Sequence, residues 1–139
     1  LRLEQAERLF ESLPEAERAG ALAFQKTLES VESTPVDVAV ADGDLLPYCG
    51  GLRIVATPGH MPGHISVFVG REKVLISGDA LAAENGVLLM ANPQYTLDMD
   101  AARRSVAKLA RMDIDRIYCY HGGLVEGNIR AALMSILSE

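Results

Sequence analysis

The sequence is short of histidine, aromatic residues and clustered positive charge. Its 139 residues include three histidines, three phenylalanines, four tyrosines and no tryptophan. With so few aromatic rings, the core is expected to consist of Val, Ile, Leu and Ala. A formal net charge of −6 without any basic run argues against a surface that binds phosphates, so we expect no nucleic-acid partner.

Cysteine and long apolar runs are also scarce. Two cysteines, Cys49 and Cys119, are too few for a disulfide framework and suit a reducing compartment. We interpret Cys119 as a small buried hydrophobic residue rather than a ligand. No apolar run approaches the roughly 20 residues that span a bilayer, and no signal-peptide pattern is present. The sequence therefore predicts a cytoplasmic protein with no membrane partner.

The spacing of apolar residues changes between residues 32 and 36. Within residues 1–32, apolar residues recur every three or four positions, which predicts helices. A second helix is predicted to begin at Pro14. From residue 36 the period changes to two, because the valines at 36–40 alternate with Asp37 and an alanine. We expect a single domain over residues 1–139, in which 1–32 is a helical insertion and 36–139 forms the sheet and its helices.

The later part of the chain predicts short strands separated by glycine-containing turns, followed by two helices with a strand between them. The first of these helices should begin after Asp98 or Asp100 and end near Met112, and the last should follow Gly123 and end near Leu137. This order predicts an α/β (α+β) fold with a mixed sheet and helices on one face. The predicted strands are 52–56, 65–69, 74–77, 87–90 and 116–120, with 36–40 as a further candidate.

Three predicted strands end in a side chain that can bind a metal. His60, Asp79 and His121 each follow a strand and have a glycine beside them. Strand ends along one sheet edge can converge, and glycine lets the backbone bend away from a common centre. Imidazole and carboxylate ligands suit zinc, with iron or manganese possible. Taken singly, each residue also has an ordinary interpretation as a surface or core histidine or a turn-forming aspartate.

In combination, the stretches TPGHMPGH (57–64), SGD (77–79) and HG (121–122) resemble the second half of a metallo-β-lactamase superfamily hydrolase. Asp79 follows His60 by 19 positions and His121 follows Asp79 by 42, which is similar to that family. The resemblance covers about residues 36–139 and implies half of an αββα sandwich. It implies that His60 and His121 are ligands of a first and a second metal. Asp79 would bridge the metals and orient the catalytic nucleophile, and His64 would lie beneath the site and orient a ligand.

The family's first motif, His-x-His-x-Asp-His, is absent, and no histidine precedes His60. The chain is therefore expected to be the C-terminal half of a longer hydrolase. In an intact relative, two zinc ions would activate water to attack an ester, thioester or lactone of a small-molecule substrate. Here three ligands would serve two positions, although zinc takes four donors, so we expect weak or no metal binding and no turnover by this chain alone. Tyr95 is predicted to contact the substrate, the alternative being a ring packed in a turn.

Half of a sandwich would leave an apolar sheet face uncovered, larger than the patches that monomers tolerate. Because the two halves of this fold are pseudo-symmetric, we predict a homodimer that packs sheet to sheet. Two other interpretations stay open at this point. One is an iron-dependent oxidoreductase on the same fold, and the other is a non-catalytic half-domain that acts as an oligomerisation module.

Overall fold

The chain divides into two compact units, residues 1–38 and 39–139. The structure is a computed structural model. Among the residues it describes, none of the helices has the length and apolar character of a membrane span. The described residues are 4, 7, 10, 11, 13–15, 18–32 and 34–138.

Within its described residues, the first unit contains the helix α1 (Arg18–Glu29), none of whose residues is buried. The predicted apolar stripe on this helix does not form a core, because Phe24 is 52% exposed and Val31, beyond the helix end, is 68% exposed. The predicted second helix is described over Arg18–Glu29; Pro14 is not helical, and the helix ends before residue 32. Leu3, Ala6 and Leu9, on which the first predicted helix rested, lie outside the described residues; positions 4, 7, 10 and 11 are helical.

The second unit holds the sheet. Its elements are β1 Leu45–Leu46, β2 Leu52–Ala56, β3 Ile65–Val69, β4 Val74–Gly78, β5 Leu81–Glu84, β6 Val87–Met90, a 3₁₀ turn Pro93–Tyr95, α2 Met99–Leu109, β7 Arg116–Cys119, β8 Gly123–Glu126 and α3 Ile129–Ser138. Six strands form one mixed sheet in the order β1-β2-β3-β4-β7-β8, and β5 and β6 form a separate hairpin. Neighbours in the large sheet are antiparallel except for β4 and β7, which are parallel. The predicted α+β fold with a mixed sheet is confirmed.

The core lies between one face of the large sheet and the helices α2 and α3. Leu75 and Ile117, which are partners in the β4–β7 register, are fully buried against Leu109 of α2 and Leu133 of α3. Helix α2 begins where expected, because the Asp98 side chain accepts a hydrogen bond from the Ala101 amide and caps the helix. The prediction of helices on one face of the sheet therefore holds for α2 and α3.

Two element predictions are wrong. Residues 36–40, all of them described, form no strand, and Val36 and Val38 are 79% and 69% exposed. Although apolar residues alternate in this segment, no neighbouring strand pairs with it to form the backbone hydrogen bonds of a sheet. The last helix begins at Ile129, because Gly123–Glu126 first turns back as β8 and pairs antiparallel with β7.

Candidate functional site

Three strand ends meet at one edge of the large sheet. Strands β4 and β7 run parallel, and β2 runs in the same direction because it is separated from β4 by the antiparallel β3. The loops that follow these strands carry His60, Asp79 and His121. His60 Nε2 lies 3.5 Å from Asp79 Oδ2, and His121 Nε2 lies 3.5 Å from Asp79 Oδ1. The structure thus brings together the three residues that the sequence predicted to converge.

The three side chains differ in exposure. His60 is 13% exposed, Asp79 32% and His121 73%. His121 packs edge to face against the ring of Tyr120, with ring centroids 5.0 Å apart. Asp79 Oδ1 is buried and, among the described residues, makes no hydrogen bond. A buried carboxylate oxygen normally has a partner, so this oxygen has acceptor capacity to spare for a cation.

His64 lies beneath Asp79 and holds its backbone. The Asp79 amide donates to His64 Nε2 at 3.0 Å, while His64 Nδ1 lies 3.1 Å from the Thr57 carbonyl and 2.9 Å from its hydroxyl. Because an amide N–H can only donate, Nε2 must accept and Nδ1 must carry the proton. Burial lowers the pKa of His64, against an opposing effect of the Asp79 carboxylate, and this favours the neutral ring.

A row of buried hydroxyl groups continues this network under the site. Thr57 Oγ1 lies 2.9 Å from Ser66 Oγ, and Ser66 donates to the Ser77 carbonyl at 3.0 Å. All three residues are at most 1% exposed. The network joins the ends of β2, β3 and β4, from which His60 and Asp79 extend. Sequence reasoning missed these hydroxyl residues, although a serine inside the apolar strand Ile65–Val69 was a usable signal.

Glycine is required at three positions around the site because other chain segments approach closely. A Cβ atom at Gly78 would lie 2.8 Å from His64 Nε2, and one at Gly59 would lie 2.5 Å from the backbone of Ala102. A Cβ at Gly122 would lie 1.8 Å from the Ala83 carbonyl oxygen. The glycines beside the predicted ligands therefore permit packing as well as bending.

The donors present match part of a two-metal site. Each oxygen of Asp79 faces one imidazole, so each of two positions would receive one nitrogen and one oxygen from this chain. A stable zinc site takes four donors. Within the described ranges, no group of three or more His, Cys, Asp or Glu residues has the arrangement of a metal site. The residues therefore fit a shared site but do not complete it.

Cys119 and Tyr95, which the sequence analysis also singled out, differ in their burial. Cys119 is 6% exposed and belongs to the core, and burial raises the pKa of its thiol, so it is a protonated core residue as interpreted. Tyr95 ends the 3₁₀ turn and is 46% exposed. Its contact with a substrate stays a prediction.

Comparisons with known proteins agree with this geometry. A family model described as the metallo-beta-lactamase superfamily matches residues 4–121. A "probable metallo-hydrolase" of Bacillus subtilis is 33% identical over 119 residues, covering 77% of this chain and 45% of the relative. A hydroxyacylglutathione hydrolase of Ectopseudomonas mendocina is 34% identical over 88 residues, covering 61% of this chain and 32% of the relative.

Solved structures share the fold. A metallo-beta-lactamase family protein from Thermus thermophilus matches with a TM-score of 0.62 and 24% identity, covering 94% of this chain and 47% of that protein. A metallo-beta-lactamase superfamily protein from Sulfolobus tokodaii matches with a TM-score of 0.63 and 22% identity, covering 96% of this chain and 50% of that protein. The chain spans less than half the length of the two curated relatives. Since the family model matches most of its residues, the chain belongs to the metallo-beta-lactamase superfamily.

Proposed function

We propose that this chain supplies the C-terminal part of a metal-dependent hydrolase site, in which His60, Asp79 and His121 are metal ligands. One observation carries the proposal: two imidazoles face the two oxygens of a single carboxylate, each at 3.5 Å. His60 would bind one metal and His121 the other, and Asp79 would bridge them. Bound metals of this kind supply a hydroxide at neutral pH and stabilise developing negative charge.

The chain's own residues orient this site. His64 fixes the backbone of Asp79 through its amide, and the hydroxyl network from Thr57 to Ser77 anchors the strand ends below. Residues that support metal ligands in this way typically change metal affinity by about 10–100-fold when they are replaced. We propose that Asp79 is the catalytic residue of this set because it alone faces both imidazoles.

We propose hydrolysis of an ester, thioester or lactone of a small molecule as the reaction. The relative named hydroxyacylglutathione hydrolase and the one named metallo-hydrolase support a hydrolytic reaction. By itself the chain offers two donors to each metal position, against the four that zinc takes. We therefore propose that the isolated chain binds zinc weakly and does not turn over substrate. A cytoplasmic location also stays a prediction.

The test compares the chain alone with the chain fused to the N-terminal half of the Bacillus subtilis relative. Both proteins are loaded with zinc, dialysed extensively, analysed for metal and assayed with p-nitrophenyl acetate and a thioester. We expect little zinc and no hydrolysis from the chain alone, and bound zinc with hydrolysis from the fusion. Asp79→Asn should abolish both gains, whereas Asp37→Asn, an exposed aspartate of the first unit, should leave them unchanged.

Other results would decide against the proposal. Stoichiometric zinc on the isolated chain after dialysis would mean that its ligand set is complete without another segment. Bound iron with oxygen consumption in the fusion would support the oxidoreductase interpretation instead. A folded fusion that binds neither zinc nor iron would favour a non-catalytic module.

A further inference from the structure

The backbone carbonyl groups of residues 56–59, which lead into His60, all accept hydrogen bonds. Each of the four preceding carbonyl groups accepts a hydrogen bond from a group that lies outside residues 56–60. Thr57 and Gly59 are buried, so their carbonyl groups need partners within the protein. The four pairs are Ala56 with Lys108 Nζ at 3.1 Å, Thr57 with His64 Nδ1 at 3.1 Å, Pro58 with Ser105 Oγ at 2.7 Å and Gly59 with the Asp98 amide at 3.1 Å.

Three of these four donors belong to the helix α2 or its N-cap. Asp98, Ser105 and Lys108 recur at spacings typical of one helical face, so they form a row along the helix. The loop runs antiparallel to this row. Between the outer contacts, Gly59 lies against the backbone of Ala102, at a distance that leaves no room for a side chain.

Lys108 also binds Asp42, in the turn that precedes β1. Its Nζ contacts Asp42 Oδ1, and the same oxygen accepts a hydrogen bond from the Ala56 amide at 2.8 Å. Both backbone groups of Ala56 are therefore held by the Lys108–Asp42 pair. Ser105 is 4% exposed, so its hydroxyl makes its hydrogen bond to Pro58 away from bulk water.

We infer that α2 positions His60, with Ser105 and Lys108 as positioning residues that act through the backbone of residues 56–59. The consequence for metal binding rests on the proposed function, but the positioning itself does not. A ligand on a loop is ordinarily placed less precisely than one on a helix or strand. Here three of the four carbonyl groups of residues 56–59 are bound to α2 or its N-cap, which sets the direction in which His60 leaves the backbone toward Asp79.

The first test measures hydrogen exchange of the Asp98 amide in the isolated chain without metal, because that amide is bound to Gly59. We expect Ser105→Ala and Lys108→Met to speed its exchange by about tenfold, the size expected for the loss of one hydrogen bond. The core amides of Leu75 and Ile117 should change much less. Lys108→Arg should retain protection, and Arg104→Met, on the exposed side of α2, should have no effect.

The second test measures zinc affinity in the fusion described above. We expect Lys108→Met to weaken zinc binding by about 10–100-fold and Lys108→Arg to restore it. A purely structural role would lower the urea midpoint and accelerate all amides together, without this selective loss. Unchanged Asp98 exchange would overturn the inference, as would unchanged zinc affinity in a fusion that binds zinc. If the wild-type fusion binds no metal, the proposed function fails, and the exchange result alone decides whether α2 positions the loop.

Discussion

At the scale of single residues, His64 has one hydrogen-bonding arrangement that satisfies both ring nitrogens. The Asp79 amide donates to Nε2, and Thr57 offers its carbonyl and hydroxyl oxygens to Nδ1. We expect His64 to be neutral at pH 7 with its proton on Nδ1, since burial lowers its pKa. Nitrogen-15 chemical shifts of the imidazole rings measure this directly.

The ring of His121, which is 73% exposed, provides an internal reference for these shifts. A proton on Nε2 of His64, or a mixture of its two tautomers, would mean that the Asp79 amide has another acceptor. The support proposed beneath the site would then be wrong.

The two adjacent glycines Gly122 and Gly123 permit a matched test of packing next to His121. Both have positive φ, +93° and +81°, so alanine strains the backbone at either position. At Gly123 the new Cβ meets nothing within 4 Å, and we expect a loss of about 1–2 kcal/mol in the free energy of unfolding. At Gly122 it would lie 1.8 Å from the Ala83 carbonyl oxygen, so we expect at least about 3 kcal/mol.

Urea denaturation of both variants measures this difference. Equal losses for the two variants would show that β5 does not pack against the His121 loop. The Ala83 amide donates to the His121 carbonyl at 2.8 Å, so Gly122→Ala should also shift the His121 backbone resonances more than Gly123→Ala does.

The ligand candidates were predictable from sequence because each one follows a strand and stands beside a glycine. The residues that hold the His60 loop were not. Ser105 and Lys108 look like ordinary helix positions, and their partners Pro58 and Ala56 lie 47 and 52 positions away in the chain. Contacts of that range depend on how the helix packs on the sheet, and nothing local in the sequence distinguishes them.

At the scale of elements, the sequence predicted strands correctly where alternating residues were bounded by glycine-containing turns. Strands β2, β3 and β6 have the bounds that the sequence predicted. Strand β5 was missed because its sequence, LAAE, contains residues that disfavour strands and becomes extended only by pairing with β6. Strand β8 was missed for a similar reason, since its register with β7 is a tertiary feature.

The contact between Lys108 of α2 and Asp42, in the turn before β1, leads to a prediction about the pKa of Asp42. The hydrogen bond from Lys108, aided by the Ala56 amide, lowers the pKa of Asp42 below its ordinary value of 3.8. Such a group stabilises the fold above its unfolded-state pKa, and that contribution is lost as the pH falls through the folded-state value. We expect Lys108→Met to raise the pKa of Asp42 toward 3.8 and Lys108→Arg to leave it low.

Carbon-13 NMR titration of the Asp42 carboxyl group tests this expectation. Between about pH 4, where an unfolded aspartate titrates, and the lower folded-state pKa, the wild type should also lose more stability on acidification than Lys108→Met does. An Asp42 pKa that is the same in both proteins would show that the Lys108 contact does not persist in solution.

At the scale of the whole molecule, the sheet has a second face that α2 and α3 do not cover. Ile65, Ile76, Tyr118 and Leu124 lie on this face and are 38–48% exposed. Apolar faces of this kind are rarely left open on monomers. At one end of the same face, Arg116 lies opposite Glu126 in register, so a cation and an anion stand side by side.

We propose a second copy of this chain as the occupant of that face. A two-fold axis would bring the same apolar side chains of the two copies together, as a symmetric interface requires. We expect a homodimer at micromolar concentration by sedimentation equilibrium. Ile76→Lys, which places a charge on the proposed interface, should give a folded monomer, because Ile76 is already 48% exposed.

The matched control is Val87→Lys, on the separate β5–β6 hairpin, where the side chain is 61% exposed and dimerisation should be unaffected. A wild-type chain that stays monomeric would remove the second copy as the occupant. The fusion with the N-terminal half of a relative gives an independent check, because the added half should compete for the same sheet face. A fusion that is monomeric and binds zinc, beside an isolated chain that is dimeric and does not, would mean that one apolar surface serves both assemblies and that only one of them completes the metal site.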